Sequence, residues 1–292
     1  MKKIKFLTLS LVFALSASAE VRLWDSFALA GPGRLSPNSS AGEYEEGESL
    51  TARSNASVSG GDMVGFRSSL PWIGGGANAM ITGGLSTPGL DSEGGAVAIG
   101  GGEPGMFVSI DRTFDPFPSE DDQLFFSVTM KATKADEEGV SLIALTNEGG
   151  YQRGEAILTN VGLIYYNGFA VGFVGDGRQM NLVVRYRSGN DVDQYLESVV
   201  KADVESGDVH TVVIRIDWND PITQMGIRDP IAVWVDPDFK KPLGRPGYEG
   251  LGFLGSPEEI TALHFLQSNY GDSDRDVVVF DEIRAGTDRE DL

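Results

Sequence analysis

The acidic residues near the end of the chain have the types and spacing that could hold a metal ion. The stretch "GDSDRD" places Asp272, Asp274 and Asp276 at alternate positions, and Asp281 follows in "VVVFDEIRAGT". Calcium takes several carboxylate or carbonyl oxygens and tolerates irregular geometry. These four residues, together with Asp25 of "LWDSF", are therefore candidate ligands of a structural Ca²⁺ ion. An acidic, solvated turn is the simpler alternative.

Asp281 raises a question of its own, because it stands among β-branched apolar residues. Strict alternation would place Val277, Val279, Asp281 and Ile283 on one face of a strand. Burying a charge that has no partner is costly. An ion shared with Asp25 would compensate that cost, and an arginine or a backbone N–H group would compensate it equally well.

Aromatic and arginine side chains form a second set of candidates, for binding carbohydrate. Sugar rings stack on exposed aromatic rings, while their hydroxyls bond to charged and amide side chains. The alternation of "LVVRYRS" puts two arginines on the polar face of a predicted strand. Core packing is the competing interpretation for each aromatic residue. The candidate carbohydrate-binding residues are Trp72, Tyr165, Tyr166, Arg185, Arg187 and Trp234.

Catalytic patterns are missing from the sequence. A retaining glycosidase needs two carboxylates about 5 Å apart, and the Glu-x-Asp-x-x-Glu pattern that supplies them on a strand does not occur. There is no Gly-x-Ser-x-Gly elbow with triad partners, no zinc spacing and no phosphate loop. The histidines are His210 and His264, in separate predicted strands, and are interpreted as ordinary strand residues. We therefore assign no catalytic residue.

Composition and charge restrict the function classes further. The chain of 292 residues carries a formal net charge of −20 and has no cysteine. Nucleic acid and anionic membranes are poor partners for such a charge, and no disulfide can form. Residues 1–19 combine a basic start, a short apolar run and an Ala-Ser-Ala site, which predicts a cleaved signal peptide. We expect an exported protein, periplasmic or extracellular, with one domain over residues 20–292 and no membrane insertion once the signal is removed.

Short runs of β-branched and aromatic residues between glycine-rich turns predict an all-β fold. Several runs alternate between an apolar and a polar face, which is typical of antiparallel sheets packed as a sandwich. Residues 59–105 are interpreted as long loops with short strands, and the segment Asp236–Pro257 as a loop ending in one helical turn at Ser256–Glu259. The predicted strands are Val21–Leu23, Ser49–Val58, Met106–Arg112, Gln123–Ala132, Val140–Thr146, Ala156–Tyr166, Ala170–Val174, Met180–Ser188, His210–Trp218, Pro230–Val235, Ile260–Ser268 and Asp276–Ala285.

Four stretches resemble the secreted bacterial proteins that have a concanavalin A-like lectin/glucanase (laminin-G-like) jelly roll. They are "RLWDSFALAGPGRL" (22–35), "GGLSTPGLDSEGGAV" (83–97), "VVIRIDW…DPIAVWVDPD" (212–238) and "VVVFDEIRAGTDREDL" (277–292). The third ends in a turn similar to Trp-Val-Asn-Pro, with Asp236 in place of the asparagine. The fourth is similar to the family's closing strand, Asp-Glu-Ile-Arg-x-Gly-Thr, and the resemblance implies a structural role for Asp281.

The resemblance implies a two-sheet antiparallel jelly roll whose role is glycan recognition without catalysis. Fold alone does not fix function, so three hypotheses follow. The first is a non-catalytic, lectin-like module that binds polysaccharide. The second is a structural or adhesive extracellular protein without a small ligand. The third, the least favoured, is a glycan hydrolase or lyase whose site the sequence does not reveal.

Overall fold

The computed structural model describes residues 21–25, 49, 63–64, 73–75, 79–87, 95–100, 107–118, 122–132, 138–146, 168–176, 179–187, 195–218, 228–269 and 277–292. Within these ranges the chain forms sixteen strands and two short 3-10 turns. The predicted signal peptide and the predicted strand Ala156–Tyr166 lie outside the described residues. No helix in these ranges is long and apolar enough to cross a membrane.

The strands form two antiparallel sheets of nine and seven strands. The larger sheet contains β1 (Val21–Asp25), β2 (Met63–Val64), β4 (Ala79–Gly83), β5 (Gly95–Gly100), β7 (Gln123–Ala132), β12 (Val209–Asp217), β13 (Asp229–Val235), β14 (Tyr248–Gly252) and β16 (Val277–Gly286). The smaller sheet contains β3 (Ile73–Gly75), β6 (Phe107–Thr113), β8 (Glu138–Thr146), β9 (Gly168–Asp176), β10 (Met180–Arg187), β11 (Tyr195–Val204) and β15 (Ala262–Asn269).

The chain crosses between the sheets several times, as a jelly roll does. It passes from β6 to β7 and back to β8, then from β11 to β12, and finally from β14 through β15 to β16. The inner faces of both sheets meet in one apolar cluster, for which Phe126 and Ile214 come from the larger sheet and Phe173 and Phe265 from the smaller. The predicted fold class is confirmed: the protein is an all-β, two-sheet antiparallel sandwich of concanavalin A-like type.

Strand bounds are predicted most accurately where apolar and polar residues alternate in the sequence. The strand β7 has the predicted bounds, and its partner β12 pairs with it residue by residue from Val209 to Asp217. The helical turn predicted at Ser256–Glu259 is present as a 3-10 turn over Pro257–Glu259, with Glu259 Oε2 accepting the Ser256 N–H at 2.9 Å. The segment after Asp236, predicted as a loop throughout, contains the edge strand β14 as well.

The closing strand β16 departs from the predicted alternation directly after Asp281. Asp281 pairs with Thr129, whereas Arg284 pairs with Ser127, so β16 has one residue more than β7 across this step. Glu282 takes the extra place with a φ of 47°. This bulge reverses the facing of the residues that follow. The prediction that Asp281 and Ile283 share one face is therefore wrong, because Ile283 joins the central core while Asp281 lies on the outer face of the larger sheet.

Asp281 is 1% exposed, and both oxygens of its carboxyl group accept backbone N–H groups. Its Oδ2 accepts the Leu85 N–H at 2.6 Å, and its Oδ1 accepts the Glu282 N–H at 2.7 Å. Leu85 packs with Ala96 and Val279 in a small apolar cluster on the same face. The Asp281 side chain thus joins the chain that follows β4 to the closing strand at the bulge.

We predict that Gly172→Ala lowers stability by about 1–3 kcal/mol, the usual effect of forcing an extra methyl group into a packed site. A Cβ atom at this position of β9 would overlap the backbone carbonyl of Ser141 in β8, so the two strands would have to separate. Urea denaturation measures the change. Gly83→Ala, in a strand where a Cβ meets nothing within 4 Å, is the control. Equal stabilities for the two variants would contradict this account of the β8–β9 contact.

Candidate functional site

One row of side chains crosses the outer face of the smaller sheet from strand to strand. Strand pairing places Asp111 opposite His264, and His264 opposite Ala144. The row continues through Ala170 to Arg185 and ends at Glu197 in the edge strand β11. The residues that alternate with these, such as Ile143 and Phe265, belong to the central core. Since successive side chains of a strand point to opposite faces, the row lies on the outside of the sandwich.

The middle of this row has small side chains. Ala144 and Ala170 stand between His264 and Arg185, and the same face of β9 carries Gly168 and Gly172 on either side of Ala170. Leu142, Val183 and Leu266 pack beside the alanines in a cluster that is separate from the central core. The outer face therefore has a small, apolar floor, fully buried at Ala144 and Ala170, with polar and charged residues at its two ends. We call this row the outer row.

The Arg185 end of the outer row borders the exposed edge strand β11, whereas Arg185 itself is 8% exposed. Arg185 donates to Glu197 Oε2 through Nε and Nη2, each at 2.5 Å, and the Glu197 side chain is 32% exposed. Arg187 follows two residues later on the same face of β10 and is half-buried. The neighbouring position of β11 is Val199, which is 51% exposed. A buried planar donor, a partly exposed carboxylate acceptor and an exposed apolar side chain thus lie side by side at the β11 edge.

The His264 end of the outer row is enclosed. His264 is buried, and this burial lowers the pKa of its imidazole to about 4. The ring is therefore neutral at physiological pH and presents one donor and one acceptor nitrogen. Its cross-strand partner on β6 is Asp111. This end supplies hydrogen-bonding groups without positive charge.

The predicted carbohydrate-binding residues fall into three groups. Arg185 and Arg187 both lie on the outer face of the smaller sheet. Trp234 lies on the outer face of the larger sheet, where it packs with Phe125, donates its Nε1–H to the Gly244 carbonyl at 2.8 Å, and has the Arg215 guanidinium 5.8 Å from its ring centre. Trp72, Tyr165 and Tyr166 lie outside the described residues.

The candidate calcium ligands are only partly described. Asp25 pairs with Ile283 across β1 and β16, two residues along the strand from Asp281. Asp281 uses both oxygens to accept backbone N–H groups, as described above. Asp272, Asp274 and Asp276 lie outside the described residues. Within the described ranges, no three His, Cys, Asp or Glu side chains form a group that could hold a metal ion.

Two further polar clusters, which sequence patterns did not indicate, join the sheets along the edge formed by β11, β13 and β14. In the first, Tyr186 and Tyr248 place their hydroxyls 2.5 Å apart, and Ser198 donates to Tyr248 at 3.0 Å. Burial, followed by the bond to Tyr248, raises the pKa of Tyr186 above its ordinary value. This cluster bridges the two sheets at an open edge of the sandwich.

The second cluster comprises Lys201, His210 and Asp236. Asp236 Oδ2 lies 2.9 Å from His210 Nδ1 and 3.2 Å from Lys201 Nζ. These contacts, like those of the outer row, depend on strand register. A single sequence does not reveal that register, although the polar alternation of β10 did indicate Arg185 and Arg187.

Comparisons with known proteins give likenesses of fold only. No family model matches the sequence, and no curated protein matches it. The solved structure of a carbohydrate esterase from Shiga toxin-encoding bacteriophage phi24B is similar, with 15% identity, a TM-score of 0.44, and coverage of 74% of this chain and 89% of that one.

Two further solved structures are similar to about the same degree. The carbohydrate recognition domain of Emp46p, in its metal-free form, has 12% identity and a TM-score of 0.44, covering 73% of this chain and 87% of that one. The exoplasmic/lumenal domain of VIP36, in its Ca²⁺/Man3GlcNAc-bound form, has 12% identity and a TM-score of 0.42, covering 73% of this chain and 82% of that one. Likenesses at this level of identity do not establish what this chain binds.

Proposed function

We propose that the protein is an exported, non-catalytic, lectin-like module that binds polysaccharide or another glycan through the outer row of the smaller sheet. The observation that carries the proposal is the arrangement at the Arg185 end. There the buried Arg185 contacts the partly exposed Glu197 beside the buried floor of Ala144 and Ala170, and the exposed Val199 lies next to Glu197 on β11.

The chemistry of this end suits sugar hydroxyls. A guanidinium has five N–H donors and no acceptor, whereas an ionised carboxylate only accepts. Two neighbouring hydroxyls of a sugar ring can therefore accept from Arg185 and donate to Glu197 at once. Hydrogen bonds to charged groups are stronger than neutral ones, at about 1.5–3 kcal/mol each. The apolar side of the ring would lie against Val199, as apolar surface lines most ligand sites.

A glycan array probed with residues 20–292 tests the proposal. We expect selective binding to one class of glycan. An array without any selective signal would overturn the proposal and favour the structural or adhesive alternative. That alternative has an observation of its own, since Val199 and Leu251 are exposed apolar residues on β11 and β14, the two strands that end the described sheets along one side of the sandwich.

A structural calcium ion is a second element of the proposal. The described part of the candidate set does not make a site alone, because the Asp281 oxygens already accept two N–H groups, so the ion would need Asp272, Asp274 and Asp276. If it binds, EDTA lowers the melting temperature and added Ca²⁺ restores it, because a ligand of the folded state stabilises that state. Thermal denaturation measures both. Melting curves that neither reagent moves would exclude the ion.

A further inference from the structure

His210 is a polar residue near the start of β12, and its side chain lies on the face of the strand that packs into the core. It shares the inner face with Val212 and Ile214 and is 3% exposed. Its cross-strand partner in β7 is Met130, which is fully buried in the central core. Residues directly opposite each other in an antiparallel pair have Cβ atoms about 4.5–5.5 Å apart. An imidazole and a thioether are therefore neighbours on the same inner face.

The position of Asp236 fixes the tautomer of His210. Asp236 Oδ1 accepts the Thr211 N–H at 3.0 Å, and Oδ2 lies 2.9 Å from His210 Nδ1. An ionised carboxylate can only accept. Lys201 Nζ lies 3.2 Å from both Asp236 Oδ2 and His210 Nδ1 and donates to the carboxylate. Since Oδ2 accepts, the proton between Oδ2 and Nδ1, which are 2.9 Å apart, is assigned to Nδ1.

The other ring nitrogen, Nε2, is therefore unprotonated, and it is directed away from Asp236. His210 Nε2 is buried and has no hydrogen-bond partner among the described residues. A buried polar atom without a partner costs free energy, so such an atom requires an explanation. A carboxylate that accepts from one imidazole nitrogen, and so fixes the tautomer, is the usual arrangement behind a histidine whose other nitrogen binds a metal.

We propose that His210 Nε2 and the Met130 thioether form a site for a soft monovalent metal ion, Cu(I) or Ag(I). Thioether and imidazole are the ligand types that such ions favour over carboxylates. Asp236 supplies a negative charge behind the ring. The Nδ1 side of the ring lies close to the surface, because the side chains of Lys201 and Asp236 are 38% and 43% exposed, whereas His210 and Met130 are themselves buried. It is separate from the outer row and does not depend on glycan binding.

Titration of residues 20–292 with Ag(I) tests the site without the need for a reductant. The chain has two histidines, so proton–nitrogen correlation spectra of the imidazoles, assigned with His210→Gln, report on His210 individually. In the metal-free protein we expect a protonated Nδ1 and an unprotonated Nε2. Ag(I) is expected to bind at one equivalent and to shift the His210 Nε2 signal while the His264 signals stay in place.

Two methionine variants provide the ligand test. Met130→Leu conserves volume, a class of change that cores tolerate well, and is expected to weaken Ag(I) binding at least tenfold. Met80→Leu, at a partly exposed position of β4, is expected to bind as the wild type does. The proposal is overturned if Ag(I) leaves the His210 Nε2 signal unchanged, if Met130→Leu binds as tightly as the wild type, or if Nε2 carries the proton in the metal-free protein.

Discussion

Replacing Arg284 by methionine is expected to lower the free energy of unfolding by about 3–5 kcal/mol, the cost of removing one partner of a buried ion pair. Arg284 Nη2 lies 2.7 Å from Glu282 Oε2, and the Glu282 side chain is 1% exposed. Nη1 also donates to the Leu292 carbonyl at 2.7 Å. The variant would leave the Glu282 carboxylate buried without this positive charge and would release the contact to Leu292. Urea denaturation at neutral pH measures the change.

Two further variants show whether the charge is responsible. Adding Glu282→Gln to Arg284→Met should recover part of the loss, because the buried negative charge is then gone. Lys241→Met, which removes the exposed pair with Asp238 at 2.7 Å, should leave the free energy of unfolding nearly unchanged, because solvent screens this pair. If the free energy of unfolding of Arg284→Met is within about 1 kcal/mol of the wild-type value, the structural role of the Arg284–Glu282 pair is contradicted.

Asp281→Asn is expected to change how stability depends on pH. Burial raises the pKa of Asp281 from its ordinary 3.8 to about 7, with the nearby Glu282 adding to the rise and the Leu85 and Glu282 N–H groups and Arg284 opposing it. The folded state therefore binds this proton more tightly than the unfolded state does. The contribution of Asp281 to stability is complete below about pH 4 and is lost as the pH rises through about 7.

The difference between 3.8 and about 7 corresponds to at most about 4 kcal/mol. Asparagine is uncharged at both pH values, although its NH2 group cannot accept one of the two N–H groups that Asp281 accepts. We therefore expect Asp281→Asn to gain stability relative to the wild type between pH 4 and pH 8. Urea denaturation of both proteins at the two pH values gives the difference in their free energies of unfolding. The effects of the other acidic groups are the same in both proteins and cancel in this difference. If the wild type instead gains on the variant as the pH rises, the N–H bonds dominate and the carboxylate is the favoured form in the fold.

The sequence predicts the sandwich because its central strands have one apolar and one polar face. Val212, Ile214 and Ile216 face the core while Arg215 faces out, and β12 alternates accordingly. The strand β11 was missed because its pairing with β10 shifts register twice, which breaks the alternation. The strand β14 was missed because its inner positions are Gly250 and Gly252, where any Cβ would clash with the Tyr186 side chain.

The candidate site was accessible to sequence reasoning only in part. Parity along β10 places Arg185 and Arg187 on one face. Glu197 and His264 join them through pairing with β11, β8 and β15, which brings together residues far apart in sequence. Trp234 has apolar residues on either side of it in the strand, so the alternation of the sequence does not predict whether its side chain faces the core or the outside. At Asp281 the bulge has no sequence signal, because Glu282 takes a positive φ that usually marks glycine.

The most direct test of glycan binding by the outer row compares three proteins on one glycan array: the wild type, Arg185→Met and Arg215→Met. Arg215 contacts Asp217 at 2.9 Å on the outer face of the opposite sheet and is the matched control. We predict selective binding by the wild type, a loss of at least about tenfold in Arg185→Met, as removal of a charged hydrogen bond implies, and no loss in Arg215→Met. Full binding by Arg185→Met, or a wild-type array without a selective signal, would contradict the account.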